Sequence, residues 1–314
     1  MRIFFRRVGF LVLTILLTSV IVFAITQLLP GDIARVILGR EAGEAAIQGL
    51  REELGLNDPI IVQYGKWLAN FVGGNWGQSF STRTDVFTLV TDRLRNSLML
   101  AGVILVISIP LAVALGVIAG LHEEKAADHV ISVGTLSFVG LPEFITGLLL
   151  IEIFAHRLGL FPANSSIRVD AGLLEALPML ILPAVTAALV LLAYVARLTR
   201  TGVIEEMKKP YVRTAELKGL PKHTVTFRHV LRNALMPTVT VIAISFGWML
   251  SGLIVIENVF NYPGLGKLLV FAIERRDIPL LQAITMITVL GFLLANLAAD
   301  LVYTRLNPRI RLGD

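Results

Sequence analysis

Residues Asn96–Leu121 read NSLMLAGVILVISIPLAVALGVIAGL, 26 consecutive positions without a charge. As a helix rising 1.5 Å per residue the run reaches roughly 39 Å, more than the ~30 Å hydrocarbon core of a bilayer. Four further charge-free runs pass the same test: Val8–Gly31, Ala176–Ala196, Asn233–Ile256 and Ile278–Ala299. A sixth, Val130–Ala155, is as long but carries Glu143 and Glu152. Strands of an outer-membrane barrel would be near 10 residues and alternate in polarity. These runs are too long and too uniformly apolar for that, and they predict an all-α polytopic membrane protein with six transmembrane helices.

Composition agrees. The chain has 314 residues, 55% of them hydrophobic and 16% charged, with a mean hydropathy of +0.76. Soluble domains carry roughly 45–50% apolar and about 25% charged residues. The balance excludes a disordered chain, a secreted disulfide scaffold and an ordinary cytosolic enzyme. Cysteine is absent, so no thiolate metal site or cysteine nucleophile exists. The net charge of +5 fits basic cytoplasmic loops rather than nucleic-acid binding.

Pro110, Pro142, Pro178, Pro183 and Pro237 lie in or beside the runs and predict kinks or helix starts, which a membrane bundle tolerates. The first run follows Arg2, Arg6 and Arg7. It is longer than a signal-peptide core and lacks a clear cleavage site, so it reads as a retained helix. Basic residues set the orientation. Arg197–Arg232 holds nine against three acids, and Arg305, Arg309 and Arg311 follow the last run. With six spans these segments share the side of the N-terminus, which places both termini in the cytoplasm. Asp32–Arg95, on the other side, has seven basic residues and eight acids. The loop His122–His129 runs against the pattern, with Lys125 alone against Glu123, Glu124 and Asp128. Ala45–Gly55 has helical spacing, and Asn57-Asp58-Pro59 reads as a turn before another helix.

Several activities are excluded by missing motifs. Gly65-Lys66 is followed by Trp67 and Gly266-Lys267 by Leu268, so neither forms a phosphate-cradling Walker loop. No H-E-x-x-H zinc pair and no G-x-S-x-G elbow exists. No catalytic residue, no metal site and no cofactor is expected, and ATP hydrolysis by this chain is not expected either.

The most informative segment is Glu205–Pro221, EEMKKPYVRTAELKGLP. Pro210 suits the first turn of a helix, Gly219 the left-handed position past its end, and Pro221 the start of a next helix running through His229. Physics alone leaves two readings of this helix, glycine turn, helix: a partner-docking element, or a basic amphipathic linker held on anionic lipid.

The run YVRTAELKGL, followed by RHVLRNALMP, resembles the cytoplasmic "EAA" loop of bacterial ABC importer permeases, in particular the B-type subunits of the peptide and nickel permease family. Arg213-Thr214-Ala215 stands where the generic motif has Glu-Ala-Ala, a form common in that family. Further resemblances follow in order: Leu29-Pro30-Gly31-Asp32; Leu50–Tyr64; Asn75-Trp76-Gly77-Gln78-Ser79; Leu141-Pro142-Glu143-Phe144; Glu257–Gly266; and Arg276-Asp277-Ile278-Pro279. The resemblance covers almost the whole chain. It implies a type I ABC importer permease, working with a second homologous permease, two ATPase subunits and an extracytoplasmic solute-binding protein in the inner membrane. The implied substrates are di- or oligopeptides, with nickel, glutathione and opine-like compounds as further members of the class. The implied organisation is residues 1–95, a first helix with an extracytoplasmic segment; 96–304, the five-helix transmembrane domain with its coupling loop at 197–232; and 305–314, a cytoplasmic tail.

On that resemblance Tyr211, Val212, Arg213, Ala215, Leu217 and Gly219 are candidates for coupling to the ATPase. Glu143, Ser245 and Ser251 are candidates for the translocation pathway. Trp76, Tyr262 and Pro263 are candidates for contact with the binding protein. Plainer alternatives stand beside them: Tyr211, Val212, Ala215 and Leu217 packed against their own permease, Glu143 bonded to backbone freed by Pro142, the small residues Ser245, Gly247, Ser251 and Gly252 as helix packing, Trp76 as an interfacial anchor. An ion-gradient transporter using Glu143 and Glu152 is the competing class. An intramembrane enzyme would need a nucleophile–base or metal pair that the runs do not contain.

Overall fold

The computed structural model describes residues 2–28, 33–38, 42–53, 55–168 and 172–306. The motif Leu29–Asp32 and the tail arginines Arg309 and Arg311 lie outside them. In chain order the helices are α1 (Arg2–Leu28), α2 (Ile33–Leu38), α3 (Glu44–Glu53), α4 (Ile60–Val72), α5 (Val86–Leu121), α6 (Ala126–Val139), α7 (Glu143–Leu150), α8 (Leu173–Met207), α9 (Pro210–Leu217), α10 (Lys222–Thr224), α11 (Leu231–Ala234), α12 (Met236–Gly252), α13 (Ile254–Val259), α14 (Leu265–Glu274) and α15 (Ile278–Leu306). Two stretches, Ile151–Arg157 after α7 and Val225–Val230 before α11, are wound as π-helix.

Among the described residues, four helices are long and apolar enough to cross a membrane unaided, within α1, α5, α8 and α15. Two bent pairs bring the number to six if each counts as one crossing. Ala126–Val139 with Glu143–Arg157 turns by 103°, and Lys222–Ala234 with Met236–Met249 by 49°. The expected third span is therefore broken at Leu141-Pro142, because the residue before a proline disfavours the helical region. Pro110, Pro178 and Pro183 remain inside continuous helices.

Two helices outrun their apolar cores. α8 continues through the charged Arg197–Met207, all of which falls in the segment expected as loop, because nothing breaks a helix there before Pro210. α5 begins ten residues before Asn96, at the Asp85 cap, whose carboxylate accepts from the Thr88 N–H and hydroxyl at 2.9 Å each.

The chain divides into two compact units, Met1–Arg95 with Lys267–Leu290 and Asn96–Gly266 with Gly291–Asp314. In the first, α4 packs on α1. A short loop, bridged between Gln78 and Asp85, is tied to the start of α15. The Ser79 hydroxyl (2.6 Å) and Ser81 N–H (3.0 Å) donate to the buried Asp277 carboxylate, which also caps α15 through Leu280 N–H.

The second unit holds the main core: Leu100, Ile104, Leu180, Leu192, Val195, Ile256 and Phe260. There α5 and α8 approach closely at Gly116 and Gly120, a small-x-x-x-small pair. A Cβ on Gly116 would stand 2.5 Å from the Ala196 carbonyl, and one on Gly120 2.8 Å from the Val203 Cβ.

Candidate functional site

Helix α9 begins as the sequence predicts. Lys209 is extended and Pro210 takes the first helical position. At its end Gly219 adopts φ +76. Its N–H bonds to the Glu216 carbonyl at 2.9 Å and the Leu220 N–H to the Ala215 carbonyl at 3.3 Å. Those two bonds are the paired closure of a Schellman turn, which uses up carbonyls that the helix end would leave bare. Pro221 then caps the next helical turn, its carbonyl accepting from Thr224 and Val225.

The phase of α9 decides which candidates can meet a partner. Val212 is 2% exposed, and with Ala215 it packs on Val203, Val225, Val230 and Ala234 of the same chain. Neither side chain faces outward, so the expectation that they touch an ATPase is corrected: their apolar surface is already spent inside the permease. Arg213, Thr214, Glu216, Lys218 and Gly219 are exposed, and Leu217 is 81% exposed. Leu217 therefore stands bare among charged and polar side chains on the outer side of α9.

Tyr211 is half-buried and ties α9 to α8. Its hydroxyl donates to Glu206 Oε1 at 2.7 Å, and Lys209 pairs with the other carboxylate oxygen. Burial and the Glu206 carboxylate push the Tyr211 phenol up. Glu206 is itself almost fully buried and was not singled out by sequence reasoning. Its only sequence signal is an acid just before a Lys-Lys-Pro-Tyr helix start.

A second feature missed from the sequence lies on the same side of the bundle. The buried Asp128 carboxylate accepts two hydrogen bonds from Arg200, and Glu123 accepts one from Lys208 at 2.8 Å. The acids of the His122–His129 loop thus meet the basic end of α8. Arg200 and Asp128 also line a cavity of 230 Å³ with Ser132, Thr135 and Arg197.

The remaining candidates are dispersed. Glu143 opens α7 directly after the 103° break and is half-buried. Its side chain has no hydrogen bond or ion pair to another described residue, so the expected bond to backbone freed by Pro142 is not made. The Pro142 carbonyl instead accepts from Ile145 and Thr146. Glu152 is exposed and pairs with Arg157 at 3.0 Å and His156 at 3.3 Å. Ser245 is half-buried on α12. The side chain of Ser251 lies outside the described residues. Gly247 packs against α15, where a Cβ would meet Ala295 at 3.2 Å.

Trp76 is half-buried, stacked on Phe71 at 5.0 Å, and donates its indole N–H to the Phe71 carbonyl. Tyr262 and Pro263 are buried, which corrects their expected role as contacts for a binding protein. The Tyr262 hydroxyl donates to the Asn96 carbonyl at 2.7 Å, and the Asn96 amide donates to the Pro263 carbonyl at 2.8 Å. Burial and the nearby Glu257 carboxylate push the Tyr262 phenol up. Ser97 donates to the buried Glu257 at 2.6 Å and accepts from Leu265 N–H at 2.8 Å. The turn is a structural knot around a buried carboxylate. No cluster of three or more potential metal ligands exists among the described residues.

Residues 112–312 match the family model of the binding-protein-dependent transport system inner membrane component, and residues 1–101 match the model of its N-terminal part. A Sinorhizobium fredii protein named "Probable peptide ABC transporter permease protein" is 36% identical over 308 residues, covering 98% of each chain. A glutathione transport system permease protein of Escherichia coli K12 is 36% identical over 306 residues, covering 98% of this chain and 97% of its own. A crystal structure of an amino acid ABC transporter with histidines superposes with a TM-score of 0.54 at 18% identity, over 69% of this chain and 94% of that one.

Proposed function

The chain belongs to the family of binding-protein-dependent transport system inner membrane components, and from that premise we propose that it carries di- or oligopeptides inward as one half of a permease pair. It is an all-α permease of an ABC importer with the type I fold, a multi-pass protein of the bacterial inner membrane. Two separate ATPase subunits dock on its cytoplasmic side, and a solute-binding protein delivers substrate from the other. Both termini face the cytoplasm. The first 95 residues supply a helix and an extracytoplasmic segment, residues 96–304 the transport bundle, and 305–314 a tail.

The observation that carries the mechanism is α9. Its inner face is fixed to the permease by Val212, Ala215 and Tyr211, while Arg213, Glu216, Leu217 and Lys218 stand outward. A helix fastened in this way passes a push on its outer face to α8 and to the turns before α11. Closure of the ATPase dimer on ATP moves α9 and reorients the bundle. The nucleotide shifts the equilibrium because it binds the two states differently. Glu143, Ser245 and Ser251 are assigned to the pathway, and Trp76 to contact with the binding protein.

The peptide reading rests on relatives named for peptide and for glutathione, itself a tripeptide, matched over nearly the whole chain. Proteoliposomes containing both permeases, both ATPases and the loaded binding protein test it. Uptake of labelled dipeptides or tripeptides, with hydrolysis stimulated by loaded binding protein, is expected. Nickel uptake without peptide uptake would overturn the substrate. Hydrolysis by the lone chain would overturn the division of labour.

A further inference from the structure

Helix α4 crosses α1 within the apolar run of that helix. The hydroxyls of Tyr64 and Ser19 are 2.7 Å apart, Phe23 meets the rings of Tyr64 and Trp67 at 5.5 and 5.7 Å, and the Gln27 amide donates to Gln63 at 3.2 Å. Partners spread over two turns of α1 are met within five residues of α4. The helix therefore crosses α1 near Phe23 rather than running beside it. Arg6 and Arg7 precede the apolar run, and Val8 to Leu28 spans about 31 Å at 1.5 Å per residue, one hydrocarbon thickness. Phe23 then lies about 8 Å, and Ser19 about 13 Å, inside the boundary at Leu28.

The faces of α4 match that depth. Gln63, Lys66 and Asn70 turn to a cavity of 680 Å³ that Trp67, Phe71, Trp76, Gln78 and Gln282 also line. Ile61, Gly65, Leu68 and Val72 recur at spacings of four, three and four, which is one helical stripe. Ile61 and Val72 are each 80% exposed. Helix α1 likewise exposes Val20, Ile21, Ile25 and Leu28, the kind of surface that a membrane-spanning helix turns to lipid.

We propose that α4 lies in the leaflet at the C-terminal end of α1, with its Ile61–Val72 stripe against acyl chains and its Lys66–Asn70 side towards water. That leaflet is the outer one on the topology proposed above. In this arrangement the 680 Å³ cavity opens at the membrane interface, and lipid holds its wall in place.

The absence of cysteine makes the test clean. Ile61→Cys, Val72→Cys and Lys66→Cys, each labelled with an environment-sensitive fluorophore, are assembled with cysteine-free partner subunits in liposomes. Ile21→Cys on α1 serves as the lipid-facing control. Acyl-brominated lipid should quench Ile61→Cys and Val72→Cys as it does the control. Iodide, present on both sides, should quench Lys66→Cys several-fold more than either. Iodide quenching at Ile61 and Val72 equal to that at Lys66 would overturn the proposal. Shielding from both quenchers would overturn it as well, by assigning the stripe to a protein partner. The readout is the same in either leaflet, so an inverted topology would appear in reporter fusions and leave this result unchanged.

Discussion

The Arg200 guanidinium grips the Asp128 carboxylate with two parallel hydrogen bonds, Nε to Oδ1 at 2.5 Å and Nη2 to Oδ2 at 2.6 Å. The pair joins the start of α6 to the C-terminal part of α8 across 72 residues of sequence. Asp128 also accepts from the Glu124 N–H and the Ser132 hydroxyl, so three residues hold its carboxylate.

Removing one partner from such a pair leaves a buried charge uncompensated, at a cost of about 3–5 kcal/mol. Arg200 is about a third exposed, which places Asp128→Ala near the low end. The melting temperature of the purified transporter should fall. Asp128→Ala combined with Arg200→Met should recover much of the loss. A double variant no more stable than Asp128→Ala would count against the ion pair as the cause.

At Gly219 an added Cβ meets nothing within 4 Å, so the only objection to a side chain is the backbone at φ +76. An ordinary L-residue pays roughly 1–2 kcal/mol there, a β-branched one more, and asparagine less. Gly219→Val should insert normally but lose transport and stimulated hydrolysis, while Gly219→Asn stays near wild type. Uptake at matched expression checks this, and equal rates for all three would remove the turn from the coupling path.

Two positions on α9 should separate docking from packing. Leu217→Glu changes an exposed residue and should leave melting unchanged while weakening co-purification of the ATPase subunits. Val212→Asp buries an unpaired charge and should lower melting itself. Normal ATPase recovery with Leu217→Glu would take the outer face of α9 out of the interface.

Gly264 has no room for a methyl group, since its Cβ would stand 2.1 Å from Glu257 Oε1. Overpacking of this kind typically costs 1–3 kcal/mol or more. Gly264→Ala should reduce folded yield, and Glu257→Ala in the same chain should restore part of it. Fluorescence-detected gel filtration of the two variants provides the comparison.

Much of the frame was readable along the chain. A bilayer demands a fixed length of apolar helix, so the spans follow from contiguous residues. Pro210, Gly219 and Pro221 punctuate by their own backbone preferences, which need no partner. The break at Pro142 followed from the same local chemistry, though the 103° turn there did not.

The outward face of α9 was a different matter. Tyr211, Val212, Ala215 and Leu217 are all apolar or aromatic in sequence, yet Val212 and Ala215 are buried and Leu217 is bare. The choice depends on where Val203, Val225, Val230 and Ala234 stand, residues brought to α9 by the packing of two other segments. The same holds for Ser97 and Glu257, 160 positions apart, and for the burial of Tyr262 and Pro263. Local preference acts between neighbours and can be read from composition and spacing. The partner of a buried charge, or the phase of a short helix, is set by contacts between distant segments and exists only once the chain has packed.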